Sequence, residues 1–527
     1  MERNIRMSAD PSLKELPPLV RSMLRPAFYP HNPESVGLVQ THISWVFLAG
    51  DRVYKVKKAL NLGFLDYSTL PRRRKACEAE VLLNRRLSPT VYLRIVPVYQ
   101  QGELFRLSLP GRIAEYAVVM RRLPAGRFLS TLMAQGRATL SQIRQVARKI
   151  AAFHAKAPPA PPGLQRISVL EKNLRENFRQ TLPYLGRTVR EKDYLVVWDY
   201  NRKFLKRRRS LLDKRIADGR LRDGHGDLHA EHICLDNGVQ IYDCIEFNPR
   251  IRQGDVAADV AFLYMDLLYH RHPVLARAFM EEYLLRTGDW ELRLLVPFYA
   301  CYRAVVREKV ESFRIADPSI APREKAAAAR RAERYFSLAR SLAEADSRPR
   351  LILVGGLPGT GKSTVARIVA NRLGADHINS DVIRKELAGL EPGIAAPAPF
   401  KSGIYSAGVT KLTYDELFAQ AEQSLVAGRS MVLDATFSLE KWRRQARSLA
   451  RRLKAIVIMV ECHCPAKVVR ARIDARQVSG DVSDAGWEIY KALKRNYERP
   501  DAKTIRVDTT QSLEKGLAKI AEAAYPF

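Results

Sequence analysis

Cysteine is scarce in this 527-residue chain, which has six cysteines and no C-x-x-C pair. The paired cysteines typical of structural zinc sites are therefore absent from the sequence, and a chain of this length needs no disulfides to stabilise its core. Cys462, His463 and Cys464 do stand together, but they follow the apolar run IVIMVE and alternate between two faces. We expect the end of a strand there, and reduced thiols throughout.

Long hydrophobic runs are lacking too. No uninterrupted apolar stretch reaches the roughly 20 residues that cross a bilayer. The opening segment MERNIRMSADPSLKEL has no hydrophobic core of signal-peptide length. We therefore expect no membrane span and a cytoplasmic location.

Acidic residues are outnumbered, with 56 Asp and Glu against 88 Lys and Arg, and the resulting net charge of +32 would attract any polyanion. Much of the excess comes in short clusters, such as residues 72–75 and 206–209. Clusters of this kind are usually solvated helix faces. Nucleic acid is thus a candidate partner, but it is not the favoured one.

A phosphate-binding loop is the strongest pattern in the chain. The sequence GGLPGTGKS at 355–363 follows the apolar run LILV and precedes the helical pattern STVARIVANRL. Glycines let backbone N–H groups turn inward around phosphate oxygens, and the helix N-terminus adds partial positive charge. A glycine-rich turn without a ligand is the alternative, but it does not explain the strand and helix on either side. The expected nucleotide-binding residues are Gly356, Gly359, Thr360, Gly361, Lys362, Ser363 and Thr364.

The chemistry of this loop predicts ATP and Mg²⁺ as cofactors. Lys362 can reach the β- and γ-phosphates, and the Ser363 hydroxyl can hold magnesium. Downstream, strand and helix patterns alternate through a helix over 419–425, the strand SMVLDAT, a helix over 442–453 and the strand AIVIMVE. This alternation predicts a parallel sheet covered by helices. Asp434 ends the strand SMVLDATF, where an acid can steady magnesium through water.

Two further groups downstream carry candidate roles. Asp381 follows a short strand in HINSDVIRKEL, and Arg384 lies one helical turn later on the same face. A helix cap formed with Ser380 is the alternative interpretation of Asp381. In VVRARIDAR, arginines at 470, 472 and 476 project from one helix region. Arg472 and Arg476 are candidate catalytic residues of a lid that closes on the triphosphate, and a basic surface helix is the alternative.

The upstream half contains HGDLHAEHICL at 225–235 and GVQIYDCIEFNPRIRQGDVAADVAFL at 238–263. Asp227 is followed sixteen residues later by Asp243, and Asp259 comes next. Two carboxylates on adjacent loops can divide the work of phosphoryl transfer, since one can orient or deprotonate a hydroxyl while the other holds magnesium.

This order resembles the aminoglycoside phosphotransferase-like branch of the protein-kinase fold. The resemblance implies that Asp227 is the catalytic base, that Asp243 binds magnesium, and that the element containing Gly254, Asp255 and Asp259 supports the catalytic loop. The family usually has asparagine as a metal ligand five residues after the HGD aspartate, whereas this chain has His232. Its nitrogen matches magnesium less well than an amide oxygen, so a nucleotide-binding pseudokinase is the alternative to an active phosphotransferase.

Kinase-like folds also need a strand lysine on the phosphates and a helix glutamate that holds it. Residues 41–69 predict two strands with a turn at 50–51, and the second strand carries Lys55 and Lys57. We favour Lys55, because Val53 shares its face and could cover the adenine, with Lys57 as the second choice. Glu80 is the expected partner, with Glu78 second. Residues 115–126 are expected to form a strand and the hinge between lobes.

The downstream half, from the phosphate loop through DATF to the lid, resembles the zeta-toxin and polynucleotide-kinase-like group. In that group the S-D-x-x-R aspartate contacts the accepting hydroxyl and the arginine contacts a substrate anion, which implies that Asp381 is the base. We therefore expect a bilobal kinase-like fold followed by a P-loop parallel sheet flanked by helices, in a two-domain bacterial family. The expected ranges are an extension at 1–30, a kinase-like domain at 31–321, a helical linker at 322–349 and a P-loop domain at 350–527.

The expected function is ATP-dependent phosphoryl transfer to a hydroxyl of a small molecule, with a nucleotide site in each half. Two alternatives stay open. One is a nucleotide-gated regulatory protein in which no acceptor is phosphorylated. The other is a 5′-hydroxyl nucleic-acid kinase, which would bind oligonucleotides in a salt-sensitive manner.

Overall fold

A computed structural model describes residues 16–63, 65–108, 111–317, 320–390, 403–479 and 486–525. The chain divides into two compact units, and the division falls after Ala343. Each unit is described by itself below. Among the described residues, no helix combines the length and the apolar character needed to cross a bilayer.

The first unit begins with a strand-rich lobe and continues with a helical lobe. Its strands are β1 Val36–Gln40, β2 Ser44–Ala49, β3 Arg52–Lys57, β4 Tyr92–Gln101, β5 Leu104–Arg106, β6 Arg112–Arg121, β7 Leu221–Asp223, β8 Ile233–Leu235, β9 Val239–Ile241 and β10 Gln253–Asp255. Its helices are α1 Pro18–Met23, α2 Leu70–Arg85, α3 Leu129–Ala134, α4 Leu140–Lys156, α5 Ile167–Thr181, α6 Glu191–Arg207, α7 Arg209–Ala217, α8 Pro249–Arg252, α9 Val256–Tyr269, α10 Pro273–Thr287 and α11 Val296–Ala316. Helix α12, Pro322–Ser347, follows, and the division between the units falls within it.

The strand-rich lobe is an antiparallel sheet of order β1-β2-β3-β6-β4-β5. Alternation along β2 and β3 buries Phe47, Tyr54 and Val56 in one core, as expected for a sheet with one face covered. Lys55 therefore points to the opposite face, and in the ladder it pairs with Val118 of β6. This is the face on which Cys77 and Val81 of α2 pack, so the fold places the helix beside Lys55.

Helix α9 is the centre of the helical lobe. Nearly all of its side chains are buried, because its sequence, VAADVAFLYMDLLY, is apolar on every face. Asp255 caps it by accepting a hydrogen bond from the N–H of Ala257 at 2.9 Å. The same carboxylate accepts two 2.7 Å bonds from Arg215, which also donates to Asp289 at 2.7 Å. The side chain of Arg215 is 1% exposed, so this ion-pair cluster is fully enclosed.

The second unit is a parallel sheet of order β12-β13-β11-β14-β15 with helices around it. Its strands are β11 Arg350–Gly355, β12 Asp376–Asn379, β13 Met431–Asp434, β14 Ile456–His463 and β15 Ile505–Asp508. Its helices are α13 Lys362–Leu373, α14 Ser380–Leu387, α15 Ala407–Val426, α16 Glu440–Arg452, α17 Ala466–Ser479, α18 Trp487–Arg495 and α19 Leu513–Ala524. The central strand β11 is buried along its whole length, as expected where helices cover both faces.

This architecture confirms the predicted fold class: a kinase-like first half and a second half built on a parallel sheet flanked by helices. One predicted helix was too short. The helix expected over 419–425 is the end of α15, which begins at Ala407 and is started by Ser406, whose hydroxyl accepts from the N–H of Val409 at 3.4 Å.

Candidate active sites

Lys55 and Glu80 meet in the first unit. Lys55 Nζ lies 2.8 Å from Glu80 Oε1 and 2.6 Å from Asp243 Oδ1. Strand β3 provides the lysine, α2 provides the glutamate, and the loop after β9 provides Asp243. The structure therefore brings together three of the residues singled out in the sequence, whereas Glu78 is exposed and pairs with Arg74.

Lys57, the second choice, lies in the same cluster but deeper. Its Nζ is 2.7 Å from Glu80 Oε2 and also bonds Glu246, which accepts from the Tyr67 hydroxyl as well. The side chain of Lys57 is 1% exposed, against 12% for Lys55. Lys55, and not Lys57, is thus the lysine beside Asp243. Sequence reasoning missed Glu246, which lies 189 positions from Lys57 in sequence, and Tyr67, which lies ten positions after Lys57.

The loop that carries Asp227 is held by Asp259 of α9. The Asp259 carboxylate accepts from the backbone N–H groups of His225 at 2.6 Å and Gly226 at 2.8 Å. Gly226 has φ +85, and a Cβ there would lie 3.1 Å from Arg252 Cα, so the turn requires glycine. The two hydrogen bonds from the loop to Asp259 are consistent with its expected supporting role. Among the described residues, Asp255 does not contact the loop in this way, but it caps α9, the helix that carries Asp259.

His232 bridges the two candidate catalytic acids. Its Nδ1 is 2.9 Å from the backbone oxygen of Asp227, and its Nε2 is 3.5 Å from Asp243 Oδ2. His229, which sequence reasoning did not single out, places Nε2 3.4 Å from Asp227 Oδ2. Two imidazoles and two carboxylates thus form one cluster.

Charges in this cluster keep the acids ionised. Burial alone would raise the pKa of Asp227, but the adjacent His229 outweighs it and holds that pKa well below its usual range. Burial likewise opposes ionisation of Asp243, and Lys55 together with His232 lowers its pKa instead. Burial dominates at His232, whose pKa is lowered. Both carboxylates are therefore available as acceptors or ligands near neutral pH.

The phosphate loop of the second unit lies between β11 and α13. Gly356 has φ +134, and a Cβ there would lie 2.4 Å from the backbone oxygen of Cys462. Gly361 caps α13 in the left-handed region, which makes Lys362 the first helical residue. Lys362 Nζ donates to the backbone oxygen of Leu357 at 3.2 Å, and the Thr360 hydroxyl donates to the same oxygen at 2.7 Å. Gly359 and Gly361 line the adjoining cavity together with Lys362 and Ser363, and Thr364 is exposed.

Asn379 connects the residues expected to hold magnesium in this unit. Its amide Nδ2 donates to Asp434 Oδ2 at 2.6 Å and lies 3.4 Å from Ser363 Oγ. Its Oδ1 accepts from the N–H groups of Asp381 at 2.7 Å and Val382 at 3.3 Å. Asn379, rather than Asp381 or Ser380, is therefore the cap of α14. The signal for it was present, because asparagine is a favoured cap directly before a helical pattern.

Asp434 is buried at the end of β13. That burial raises the pKa of its carboxyl, and the positive charge of Lys362 opposes the rise. The side chains that could bind the metal are the Ser363 hydroxyl and the Asp434 carboxylate. Both offer oxygen atoms, which is the ligand type that magnesium prefers. This donor set fits the metal expected from the sequence.

We predict that Asn379→Ala lowers phosphoryl transfer by the second unit about 10- to 100-fold, because the carboxylate of a metal site loses the amide that orients it. Loss of the cap should also cost about 1 kcal/mol of stability. Label transfer from γ-labelled ATP and urea unfolding measure the two effects. Asn379→Asp separates them, since it keeps a capping oxygen and removes the amide donor. Transfer at the normal rate in both variants would contradict this role.

Asp381 and Arg384 share a cavity with the phosphate loop. The cavity has a volume of about 390 Å³, and its lining includes Lys362, Ser363 and Asp434 at one end. Arg384 is buried, and its Nη1 donates to the backbone oxygen of Ile404 at 2.8 Å. Its Nε has no hydrogen-bond partner among the described residues. A buried guanidinium N–H without a partner is suited to an anion.

The three arginines expected in a lid lie in α17 and differ in their surroundings. Arg472 donates to the Thr509 hydroxyl at 2.9 Å and to its backbone oxygen at 3.0 Å, and Thr509 in turn donates to the backbone oxygen of Thr360 at 2.9 Å. Arg472 therefore contacts the residue that supports the phosphate loop. Arg470 is exposed and lies over the ring of Trp487, with its guanidinium carbon 5.6 Å from the ring centroid. The side chain of Arg476 lies outside the described residues.

Comparison with known families agrees with the fold of both units. Residues 68–295 match the phosphotransferase enzyme family, and residues 351–500 match the AAA domain family. The fold and the two sites thus define a two-domain protein in which a kinase-like half precedes a P-loop kinase half. Kinase-family domains in both halves support a phosphotransferase, and such domains imply ATP and typically a divalent metal.

Relatives extend the comparison to nearly the whole chain. An uncharacterized protein of Mycobacterium tuberculosis is 33% identical over 489 residues, which are 91% of this chain and 93% of that protein. The chain belongs to the same family as this mycobacterial protein. The resemblance inferred from the motifs of the chain, to a phosphotransferase-like domain followed by a P-loop kinase domain, is confirmed. A UPF0200 protein of Aeropyrum pernix is 35% identical over 147 residues, 26% of this chain and 70% of that protein.

Among solved structures, a choline/ethanolamine kinase family protein from Mesorhizobium loti covers 62% of this chain and 99% of its own. It is 14% identical to this chain, with a TM-score of 0.36. That likeness is too weak to add to the argument.

Proposed function

We propose that the protein is an ATP-dependent phosphotransferase with two nucleotide sites, and that its second unit transfers the γ-phosphoryl group to a hydroxyl of a small molecule. One observation carries this proposal: the phosphate loop opens into a cavity of about 390 Å³ whose lining also includes Asp381 and Arg384. A cavity of this size accommodates a small acceptor next to the transferred group.

In this proposal each residue of the second unit has a separate task. The loop N–H groups and Lys362 bind and orient the phosphates. Asp381 accepts the proton of the acceptor hydroxyl. A magnesium ion held by Ser363 and Asp434 would supply charge neutralisation at the transferred group. Asn379 orients Asp434, and Arg472 stabilises the phosphate loop through Thr509. Arg476 stays a candidate for the lid.

The cavity walls suggest the chemistry of the acceptor. Beyond Asp381 and Arg384, the lining includes the apolar side chains of Leu439, Trp442 and Ile489, together with Lys441 and Asn496. The ring of Trp442 stacks on Tyr414 with centroids 4.2 Å apart, so this wall is rigid. We infer an organic anion that has a hydroxyl near Asp381, a negative group on Arg384 and an apolar part against this wall.

The first unit is proposed as the second nucleotide site. Lys55, held by Glu80, would bind the phosphates, Asp227 would accept the proton of an acceptor hydroxyl, and Asp243 would be a metal ligand. The cluster of Lys55, Glu80 and Asp243, with contacts of 2.8 and 2.6 Å, supports this proposal. His232, at the position where the family has asparagine, favours the regulatory alternative for this unit, in which nucleotide is bound but not turned over.

Label transfer tests the proposal and separates the two units. Full-length protein is incubated with γ-labelled ATP and a cell extract, and wild type is compared with Asp381→Asn and Asp227→Asn. Loss of label transfer in Asp381→Asn assigns the activity to the second unit. Loss of label transfer in Asp227→Asn assigns it to the first unit. Asp415→Asn and Asp199→Asn, two half-exposed aspartates that pair with surface lysines, are matched controls that should transfer normally.

Two results would overturn the proposal. ATP binding without label transfer in any protein would support the nucleotide-gated regulatory alternative. Label on the 5′ end of an oligonucleotide, with binding that weakens steeply as salt rises, would instead support a nucleic-acid kinase, which the net charge of +32 favours.

A further inference from the structure

Two hydrogen-bond acceptors, His232 Nε2 and Asp243 Oδ2, face each other in the cluster around His232. The backbone oxygen of Asp227 can only accept a hydrogen bond, so His232 Nδ1, at 2.9 Å from it, must carry the hydrogen. In the neutral imidazole, Nε2 then carries a lone pair. That atom faces Asp243 Oδ2 at 3.5 Å. Lys55 bonds the other oxygen, Oδ1, of the same carboxylate.

Two lone pairs that face each other at this distance repel unless a proton or a metal ion lies between them. Two ligands that each lie about 2.1 Å from one metal ion at a tetrahedral angle are roughly 3.4 Å apart. The observed 3.5 Å between His232 Nε2 and Asp243 Oδ2 therefore suits a shared ion.

Further ligand atoms lie within reach. Asp227, His229 and His232 each offer an atom within 4.8 Å of the others. His229 Nε2 lies 3.4 Å from Asp227 Oδ2. Asp227, His229 and His232 can thus supply three ligands, and Asp243, beside His232 Nε2, is the candidate for the fourth.

This set does not fit magnesium well. Magnesium prefers oxygen ligands in octahedral geometry, whereas imidazole nitrogen suits zinc and other divalent transition metals. An amide oxygen at position 232 would give the oxygen-rich site expected from the family resemblance, but His232 replaces that oxygen with nitrogen.

We propose that the first unit binds a divalent transition-metal ion, of the class of Zn²⁺ and Co²⁺, in preference to Mg²⁺, with His232 and Asp243 as ligands and Asp227 and His229 completing the set. The inference deepens the upstream half of the proposed function. It is tested without nucleotide, so failure of this metal site and failure of phosphoryl transfer can be distinguished.

Cobalt absorption provides the test. Full-length protein with Ser363→Ala and Asp434→Asn, which removes the oxygen ligands of the second unit, is titrated with Co²⁺ and the visible absorption is recorded. We expect one Co²⁺ per chain with the strong visible bands of a four-coordinate site, displacement by one equivalent of Zn²⁺, and retention in a 100-fold excess of Mg²⁺.

The matched variants identify the ligand. His232→Asn in the same background should weaken Co²⁺ binding about tenfold or more. His42→Asn, which removes an imidazole paired with Asp317 elsewhere in this unit, should bind Co²⁺ as before. Circular dichroism checks that each variant is folded. The proposal is overturned if the parent protein binds no Co²⁺, if equimolar Mg²⁺ displaces it, or if His232→Asn binds as tightly as the parent.

Discussion

Replacing Lys362 with alanine should lower phosphoryl transfer by the second unit about 10²- to 10³-fold, the range found when one preorganised donor to a developing charge is removed. Lys362 is the first residue of α13, and it lines the same cavity as Asp381. It donates to the backbone oxygen of Leu357 within the loop itself. Its charge is therefore already directed to the loop interior.

Steady-state label transfer with the acceptor identified by the extract screen measures this effect. Lys515→Ala is a suitable control, because Lys515 is an exposed lysine on α19. A Lys362→Ala protein that retains more than a tenth of the wild-type rate would contradict the role assigned to the loop. Loss of transfer in the control would point to general damage to the domain.

Arg215→Met should destabilise the first unit by about 3–5 kcal/mol, the usual cost when one partner of a buried ion pair is removed. Arg215 donates to both oxygens of Asp255 and to Asp289, and its side chain is 1% exposed. Methionine fills similar volume but leaves two carboxylates without their counter-charge in a buried environment. One of them, Asp255, also caps α9.

Urea unfolding followed by circular dichroism, read on the transition of the first unit, measures this loss. Lys214→Ala on the same helix is the matched control. Its partners Asp218 and Glu291 pair with it at the surface, so its removal should cost less than about 1 kcal/mol. Equal effects of the two substitutions would show that burial of the Arg215 cluster contributes little.

Local patterns predicted the fold class and the phosphate loop. The order strand, glycine-rich loop, helix is short in sequence, and each part restricts the next, so GGLPGTGKS could be assigned from neighbouring residues alone. The choice of Lys55 over Lys57 rested on Val53, which lies two residues before Lys55 on the same face and could cover the adenine. Strand alternation by itself puts Lys57 on that face as well. Both lysines bond Glu80 in the structure, but Lys55 also reaches Asp243.

Contacts between distant segments could not be predicted in this way. Glu246 lies 189 positions from Lys57, and only the packing of the lobe brings them together. Arg472 was expected in a lid, yet it bonds Thr509, which follows the last strand of the sheet. A helical pattern shows which residues share a face, but it does not show which neighbouring segment that face meets. Asn379 could have been found, because its position before α14 is that of a cap.

The two lysines that share Glu80 bear on how the first unit can be controlled. In kinase-like folds, turnover can be regulated by swinging the helix glutamate away from its lysine. Here such a swing would break two buried ion pairs at once and leave Lys57 without one of its counter-ions. The lysine–glutamate pair is therefore formed in this structure and is reinforced by a second lysine, so that moving α2 away from β3 would cost both contacts of Glu80.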